Sequence, residues 1–289
     1  MALGGGGAKG NAHIGVIRRL EAEGFRPRAV AGTSYGGLVA VLYALGHGPD
    51  QIEEMFASVD QRRLYTRAAG GAASLFGFVG AREWLEKVLI DKTFADLRIP
   101  CAVTAVDLES GREIILSSGR LQDAVLSTIA LPGVFPVVSL ADLELVDGGV
   151  MDPVPVAVAR SLLPGAPVVA VVLSLPEGTP ARHLPLPVPR RLPRVIVDRL
   201  ERTRFARVFD VFMRSVDIGS RQLAELRLKL EAPEVILRPA VEHIELLDRV
   251  DVRAVARLGE DSVAEALPEL LRLMPWPRRV RHKLTKRRR

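Results

Sequence analysis

The sequence predicts an α/β fold, and three observations carry that prediction. The chain opens with a short apolar strand, a glycine-rich loop and an amphipathic helix. A second strand turns directly into a helix at Gly32-Thr33-Ser34-Tyr35-Gly36, and a later alternating strand ends at Asp147-Gly148-Gly149. Strands that alternate with helices bury their apolar faces by forming a sheet with helices packed against it.

The first unit is strand Met1–Leu3, a loop through Gly10, and a helix with apolar positions Ile14, Val16, Ile17 and Leu20 that ends at Gly24. Gly5, Gly7 and Gly10 fit the spacing G-x-G-x-x-G of a dinucleotide-binding loop. That fingerprint requires an acidic residue about twenty positions on, at the end of the second strand. Here the second strand leads to Gly32-Thr33-Ser34 instead, so no cofactor is expected. Consecutive glycines also let several backbone N–H groups point into one hollow, which suits the oxyanion of a tetrahedral intermediate.

The second unit pairs an apolar run, Arg28–Ala31, with a helix over Gly37–Leu45, and places Ser34 at the junction. A strand that turns at once into a helix brings two backbones together, and glycine two residues to either side of the serine avoids the clash. The helix N-terminus favours negative charge near the hydroxyl, as a nucleophile requires. The alternative for this stretch is a glycine-rich turn with a capping serine.

A capped helix follows from Asp50, over Gln51–Ser58, and then an Ala/Gly/Arg-rich segment over 59–80 that reads as a lid or a long surface loop. After a helix over Ala81–Ile90, strands Cys101–Val106 and Glu113–Leu116 form a hairpin in which Asp107 is a turn residue. Leu121–Ile129 is a helix, ended by a rigid turn with Pro132 and Pro136. Asp147 then stands at a strand end of the same type as Ser34 and supplies the proton acceptor that a serine nucleophile needs. A helix over Val150–Leu163 and a buried strand over Pro167–Leu175 complete this half. A proline-rich stretch, 176–193, reads as a linker, followed by a helix over Arg194–Leu230, a strand at Val235–Leu237 and a helix over Val252–Met274.

Composition bounds the rest. With 289 residues, 48% hydrophobic and 26% charged, the chain can bury a core as one large or two small domains. The single cysteine, Cys101, excludes an internal disulfide and, within an apolar strand, reads as a buried inert thiol. No leader pattern opens the chain and no stretch approaches ~18 uninterrupted apolar residues, so a soluble cytoplasmic protein is expected. The net charge of +6 belongs to the tail: Trp276–Arg289 holds eight Lys or Arg and no acid, leaving 32 bases against 34 acids elsewhere. That tail reads equally as a solvated end or as peripheral contact with an anionic membrane, and no specific nucleic-acid partner is indicated.

Three blocks together resemble the motifs of bacterial patatin-like phospholipases: Gly5-Gly6-Gly7-Ala8-Lys9-Gly10, Gly32-Thr33-Ser34-Tyr35-Gly36 and Asp147-Gly148-Gly149. Order and approximate spacing agree, and Ala130–Pro136 is similar to a proline-containing block that the family carries between serine and aspartate. The resemblance covers most of residues 1–175 and implies a three-layer α/β/α fold with a mostly parallel sheet. It implies a lipid acyl-ester hydrolase with Ser34 as nucleophile, Asp147 as proton acceptor and the amides of Gly5, Gly6 and Gly7 as oxyanion donors. Lys9, Gly10, Gly32, Gly36, Gly148 and Gly149 would support the motifs, and no metal is implied. The domain organisation expected is a catalytic domain over 1–175, the linker, a helical segment over 194–275 packed on the core, and a basic tail over 276–289.

None of the five histidines sits in a familiar triad pattern, although His13, one turn into the first helix, is the alternative base. The family's first strand is longer than Met1–Leu3, which implies a stunted strand or a late start and a poorly anchored glycine loop. That departure supports a second reading, a lipid-binding or regulatory member that turns over slowly.

Overall fold

The computed structural model describes residues 1–59, 66–67, 74, 76–174 and 204–274. The first half contains β1 (Ala2–Leu3), α1 (Ala12–Ala22), β2 (Val30–Thr33), α2 (Tyr35–Ala44) and α3 (Pro49–Ser58). A two-residue pair, β3 (Thr66–Arg67) and β4 (Phe76–Gly77), precedes α4 (Val79–Leu89). Then come β5 (Cys101–Asp107), β6 (Glu113–Leu116), α5 (Leu121–Thr128), β7 (Val138–Leu140), β8 (Leu143–Asp147), α6 (Val156–Leu162) and β9 (Val169–Val171). The last elements are α7 (Arg204–Glu231), β10 (Val235–Leu237), α8 (Val252–Glu265) and α9 (Leu267–Leu273).

The main sheet runs β10-β9-β1-β2-β5-β8-β7, with β6 also paired to β5. The first five strands of that order are parallel, and β6, β7 and β8 join antiparallel. Parallel strands are covered on both faces, and their residues here divide by alternation. Ala2, Ala31, Ala102 and Ala170 face a cluster with Val156 and Ala159 of α6 and Ala224 and Leu228 of α7. Leu3, Val30, Val103 and Val171 face the larger cluster built with α1, α2, α5 and α8. The result is a three-layer α/β/α arrangement. Each fully buried Leu or Val on these faces contributes about 1.5–3 kcal/mol.

β1 is short, yet it is the centre of the parallel region, paired with β2 on one side and β9 on the other. Beyond it, Gly4 N–H donates to Val171 O and Gly5 N–H to Pro153 O, both at 3.0 Å. The glycine loop is therefore anchored on two sides, which corrects the expectation of a poorly held loop. On the α1 side the packing is tight because Gly15 and Gly259 let α1 and α8 touch backbone to backbone; a Cβ on Gly15 would stand 1.7 Å from Ala256 O. Arg18 then ties α1 to α3 and α8 through Asp50, Glu53 and Glu260 at 2.6, 2.8 and 2.8 Å.

Several boundaries differ from the sequence expectation for local reasons. α3 begins at Pro49, whose fixed φ suits a first helical position, and Gly48 N–H is held by Gln51 Oε1 at 3.0 Å. Asp50 lies inside that first turn and is not the cap. The helix expected from Val150 starts at Val156, after a 3-10 turn at Gly148–Val150, because Pro153 and Pro155 have no N–H to donate. The strand expected over Pro167–Leu175 is limited to Val169–Val171, and the last helix divides at Ala266, where Pro268 opens the second piece. The linker 176–193, the tail 276–289 and most of 59–80 lie outside the described residues. Among the described residues no helix is long and apolar enough to cross a membrane.

Candidate active site

Strand register brings the two strand ends together. β6 covers Val103–Val106 along one edge of β5, so β2 and β8 share the other edge end to end. Thr33 pairs with Thr104, and Asp147 pairs with the next residue, Ala105. Ser34 therefore leaves β2 at the rung beside the one on which Asp147 ends β8. The seam is stitched by hydroxyls: Thr33 Oγ1 donates to Asp152 O at 2.7 Å and takes the hydrogen of Thr104 Oγ1 at 2.7 Å.

Ser34 has φ 56° and ψ −129°, a conformation that costs a non-glycine residue about 1–3 kcal/mol. Two features hold it there. Its N–H donates to the buried hydroxyl of Thr128 at 2.8 Å. The flanking backbones also close on it: a Cβ on Gly32 would lie 2.4 Å from Gly36 O, and one on Gly36 would lie 2.3 Å from Leu3 O. The steric reason inferred for glycine at both positions is thus a backbone contact.

Asp147 is buried, it lines the same hollow as Ser34, and its Oδ1 accepts from Gly149 N–H at 2.8 Å. Burial pushes its pKa up to about 6, and the nearby Ser34 side chain and the Gly149 N–H oppose that rise. Its own N–H donates to Ala130 O at 3.0 Å, so the proline-containing block after α5 positions the aspartate. Gly148 carries the chain over Thr104, where a Cβ would stand 2.2 Å from Oγ1.

The loop departs from expectation at one residue. The Gly5 amide is spent on Pro153, and it is the amides of Gly6 and Gly7 that have no acceptor among the described residues. Gly5 instead lies flat against the elbow, with its Cβ position 3.3 Å from Ser34 Cβ. Gly10 makes room for the Tyr35 ring, whose hydroxyl donates to Asn11 Oδ1 at 2.7 Å while Asn11 Nδ2 donates to Ala8 O at 2.9 Å. Loop and elbow are thereby one unit. Lys9 is half-buried beside Gly6.

His13 is fully buried, and its Nε2 lies 2.7 Å from Gly4 O. A carbonyl only accepts, so Nε2 carries the proton; burial pushes the pKa down to about 4 and keeps the ring neutral. Its bonded nitrogen supports the end of β1. Cys101 is buried in β5 with its thiol pushed up to about 12 by burial. Asp107 holds the β5–β6 turn by accepting from Ser110 N–H at 3.0 Å, and it ties in β8 by accepting from Glu144 N–H at 3.1 Å.

A family model described as Patatin-like phospholipase matches residues 1–160, which contain the glycine loop, the elbow and the aspartate turn. The chain belongs to the patatin-like phospholipase family. Among its relatives, an uncharacterized NTE family protein of Mycobacterium tuberculosis is 34% identical over 185 residues, covering 63% of this chain and 51% of that protein. Lysophospholipase NTE1 of Mycosarcoma maydis is 31% identical over 176 residues, 56% of this chain and 9% of the relative. Human patatin-like phospholipase domain-containing protein 6 is 30% identical over 179 residues, 56% of this chain and 12% of the relative. The chain thus spans about half the length of the mycobacterial relative and far less of the other two. The structure of VipD from Legionella pneumophila aligns with a TM-score of 0.47 at 11% identity, over 91% of this chain and 65% of that one.

Within the patatin-like fold, two hollows of different character meet at Ser34. One, of about 150 Å³, is lined by Tyr35, Leu38, Phe56, Trp84, Leu85 and Phe135. Its wall is a run of rings, with Tyr35–Phe56 centroids 5.2 Å apart and Phe56–Trp84 stacked at 5.4 Å. The other, of about 140 Å³, presents Gly6, Lys9, Asp147, Asp217, Arg221 and Glu242. Leu131 and Leu246 border both. Sequence reasoning missed Thr128, the ring wall and the contribution of α7, because each reads locally as an ordinary amphipathic helix position.

Proposed function

We propose that this phospholipase-family protein is a serine acyl-ester hydrolase acting on lipids through a Ser34–Asp147 dyad. The observation that carries the reading is the placement of Ser34 beside the buried, pKa-raised carboxylate of Asp147, on adjacent rungs of β5 and in the lining of one hollow. A carboxylate tuned to about 6 is a better proton acceptor near neutrality than an ordinary aspartate, and remains ionised there.

Ser34 Oγ attacks the ester carbonyl as its proton passes to Asp147. The carbonyl oxygen becomes an oxyanion held by the N–H groups of Gly6 and Gly7, the loop amides with no acceptor among the described residues. Collapse expels the alcohol, which takes the proton back from Asp147 and leaves Ser34 acylated. Water then attacks the acyl-enzyme, Asp147 accepts its proton, and release of the acid returns that proton to Ser34. The apolar hollow suits the acyl chain and the charged one the alcohol. The lysophospholipase named among the relatives is consistent with a substrate carrying one chain and a polar head.

The test is covalent labelling by a fluorophosphonate together with hydrolysis of a panel of acyl esters and phospholipids, on wild type and Ser34→Ala. Loss of both in the alanine variant, by at least ~10³-fold in rate, is expected. Undiminished hydrolysis by a folded Ser34→Ala protein rejects the reading.

A further inference from the structure

Beneath the seam between β2 and β8 lies a group of charges for which the proposed reaction has no use. Asp152 is completely buried, and Arg227 Nη2 of α7 stands 3.0 Å from its Oδ2, off the line of a well-formed hydrogen bond. The same guanidinium reaches Glu231 at 2.9 Å and Glu113 of β6 at 3.7 Å. Its Nη1 lies 3.5 Å from Met151 O. One cation thus serves three carboxyl groups and grips the peptide next to Asp152.

The backbone of Asp152 explains why that grip matters. Its carbonyl accepts from Thr33 Oγ1 at 2.7 Å, one residue before Ser34. Its N–H donates to Gly148 O at 2.8 Å, one residue after Asp147. A single residue therefore holds the immediate neighbours of both dyad members, and its side chain is the anchor that attaches this turn to α7. Surface ion pairs are worth little, but a buried carboxyl that loses its partner or its place disturbs whatever its backbone supports.

We infer that Asp152, secured by Arg227, is a positioning residue that sets the Ser34–Asp147 geometry through the turn of residues 148–152. The inference rests on the dyad reading above. Asp152 touches neither substrate nor reacting atoms; it acts through Thr33 and Gly148. The groups facing its carboxyl are Arg227 and Glu231 from α7 and Glu113 from β6. Burial raises its pKa, Arg227 opposes this, and Glu113 and Glu231 add to it, leaving the group near about 8. At neutral pH the side chain is accordingly a neutral acid, which asparagine imitates in shape and charge. Above pH 8 it ionises beside two other carboxylates and loosens the turn.

The experiment measures kcat and KM for a soluble short-chain ester from pH 5 to pH 10 on the full chain, with Asp152→Asn, Asp152→Ala and Ser34→Ala side by side. Asp152→Ala is expected to lose about 10- to 100-fold in kcat with KM little changed, the size of effect that misplacing reacting groups produces. Asp152→Asn is expected to keep kcat within about threefold of wild type at pH 7, as an isostere of the neutral acid, and to lack the wild-type decline above pH 8. If the alanine variant is unfolded by circular dichroism, the asparagine profile decides. A folded Asp152→Ala with wild-type kcat, or an Asp152→Asn profile that keeps the alkaline decline, overturns the inference while leaving the dyad intact. An active Ser34→Ala removes the dyad and the inference with it.

Discussion

The hydroxyl of Thr128 accepts the backbone N–H of Ser34 at 2.8 Å, from the end of a helix 94 residues away in sequence. The bond has two consequences. It stabilises a φ of 56° that serine adopts at a cost, and it occupies the Ser34 amide, in keeping with the proposal that the loop amides are the oxyanion donors.

Thr128→Val tests this bond with little change in side-chain shape. The valine cannot accept, so a buried N–H is left unpaired at a cost of about 1–3 kcal/mol. Equilibrium unfolding in urea is expected to show a loss of that size, and kcat for a soluble ester a drop of about tenfold, as the elbow relaxes. Thr128→Ser, which keeps the acceptor, should recover most of the rate. Equal kcat in all three proteins contradicts a positioning role for Thr128.

Asp147 predicts the acid side of the pH profile. Its carboxyl is raised to about 6, chiefly by burial, and the proposed reaction requires the ionised form. kcat/KM should therefore fall about tenfold per pH unit below 6 and level off between about pH 6 and 8. Asp147→Asn should remove that limb along with most of the activity, while circular dichroism remains native. A profile that in wild type is flat from pH 7 down to 4.5 assigns the proton to some other group.

The parts legible in the sequence are those written in local chemistry. Glycines two residues to either side of Ser34, the alternating strand before Asp147 and the hairpin around Ser110 each carry a short-range signal, and the structure has elements at those places. Long-range relationships left no such trace. Nothing near Asp147 announces that β8 shares an edge of β5 with β2, and nothing near Gly5 shows its amide turned to Pro153, 148 residues on. Asp152 and Arg227 are likewise ordinary charges until the fold buries one against the other. The break at Ala266 is a different case, since Pro268 stood in the sequence and the apolar periodicity around it masked its effect.

His13 separates a structural histidine from a catalytic one. Its pKa falls from 6.5 to about 4 on folding because burial disfavours the charged ring. A depressed pKa gives stability that is complete above pH 6.5 and is lost as pH falls from 6.5 to 4, amounting to about 3 kcal/mol by linkage. In urea titrations wild type should lose about that much more than His13→Gln across this interval, a comparison in which the contributions of Asp147 and Asp152 cancel. His13→Gln should remain an active hydrolase at pH 7, since the glutamine amide can still donate to Gly4 O. Parallel stability curves, or loss of activity in a folded variant, count against the structural role.

The ring wall sets the last prediction. Trp84 stacks on Phe56 at 5.4 Å, Phe56 meets Tyr35 at 5.2 Å, and these rings bound an apolar hollow of about 150 Å³ that reaches Ser34. A dry apolar cavity of about that size holds a benzene-sized guest, about six carbons. An acyl chain of this length fills the hollow, and a longer one must run past the rings toward solvent and give up burial worth about 0.8 kcal/mol for each methylene left exposed. Across p-nitrophenyl esters kept below their aggregation limits, kcat/KM should rise with chain length and then level off near six carbons. Trp84→Ala removes the outer ring and lengthens the apolar surface, so its plateau should move to longer chains by several carbons, with the rate on a two-carbon acyl group nearly unchanged because that group stays beside Ser34. A variant with the same plateau as wild type would place the acyl chain on the other side of Leu246, among Lys9, Asp217 and Arg221, and reverse the assignment of the two hollows.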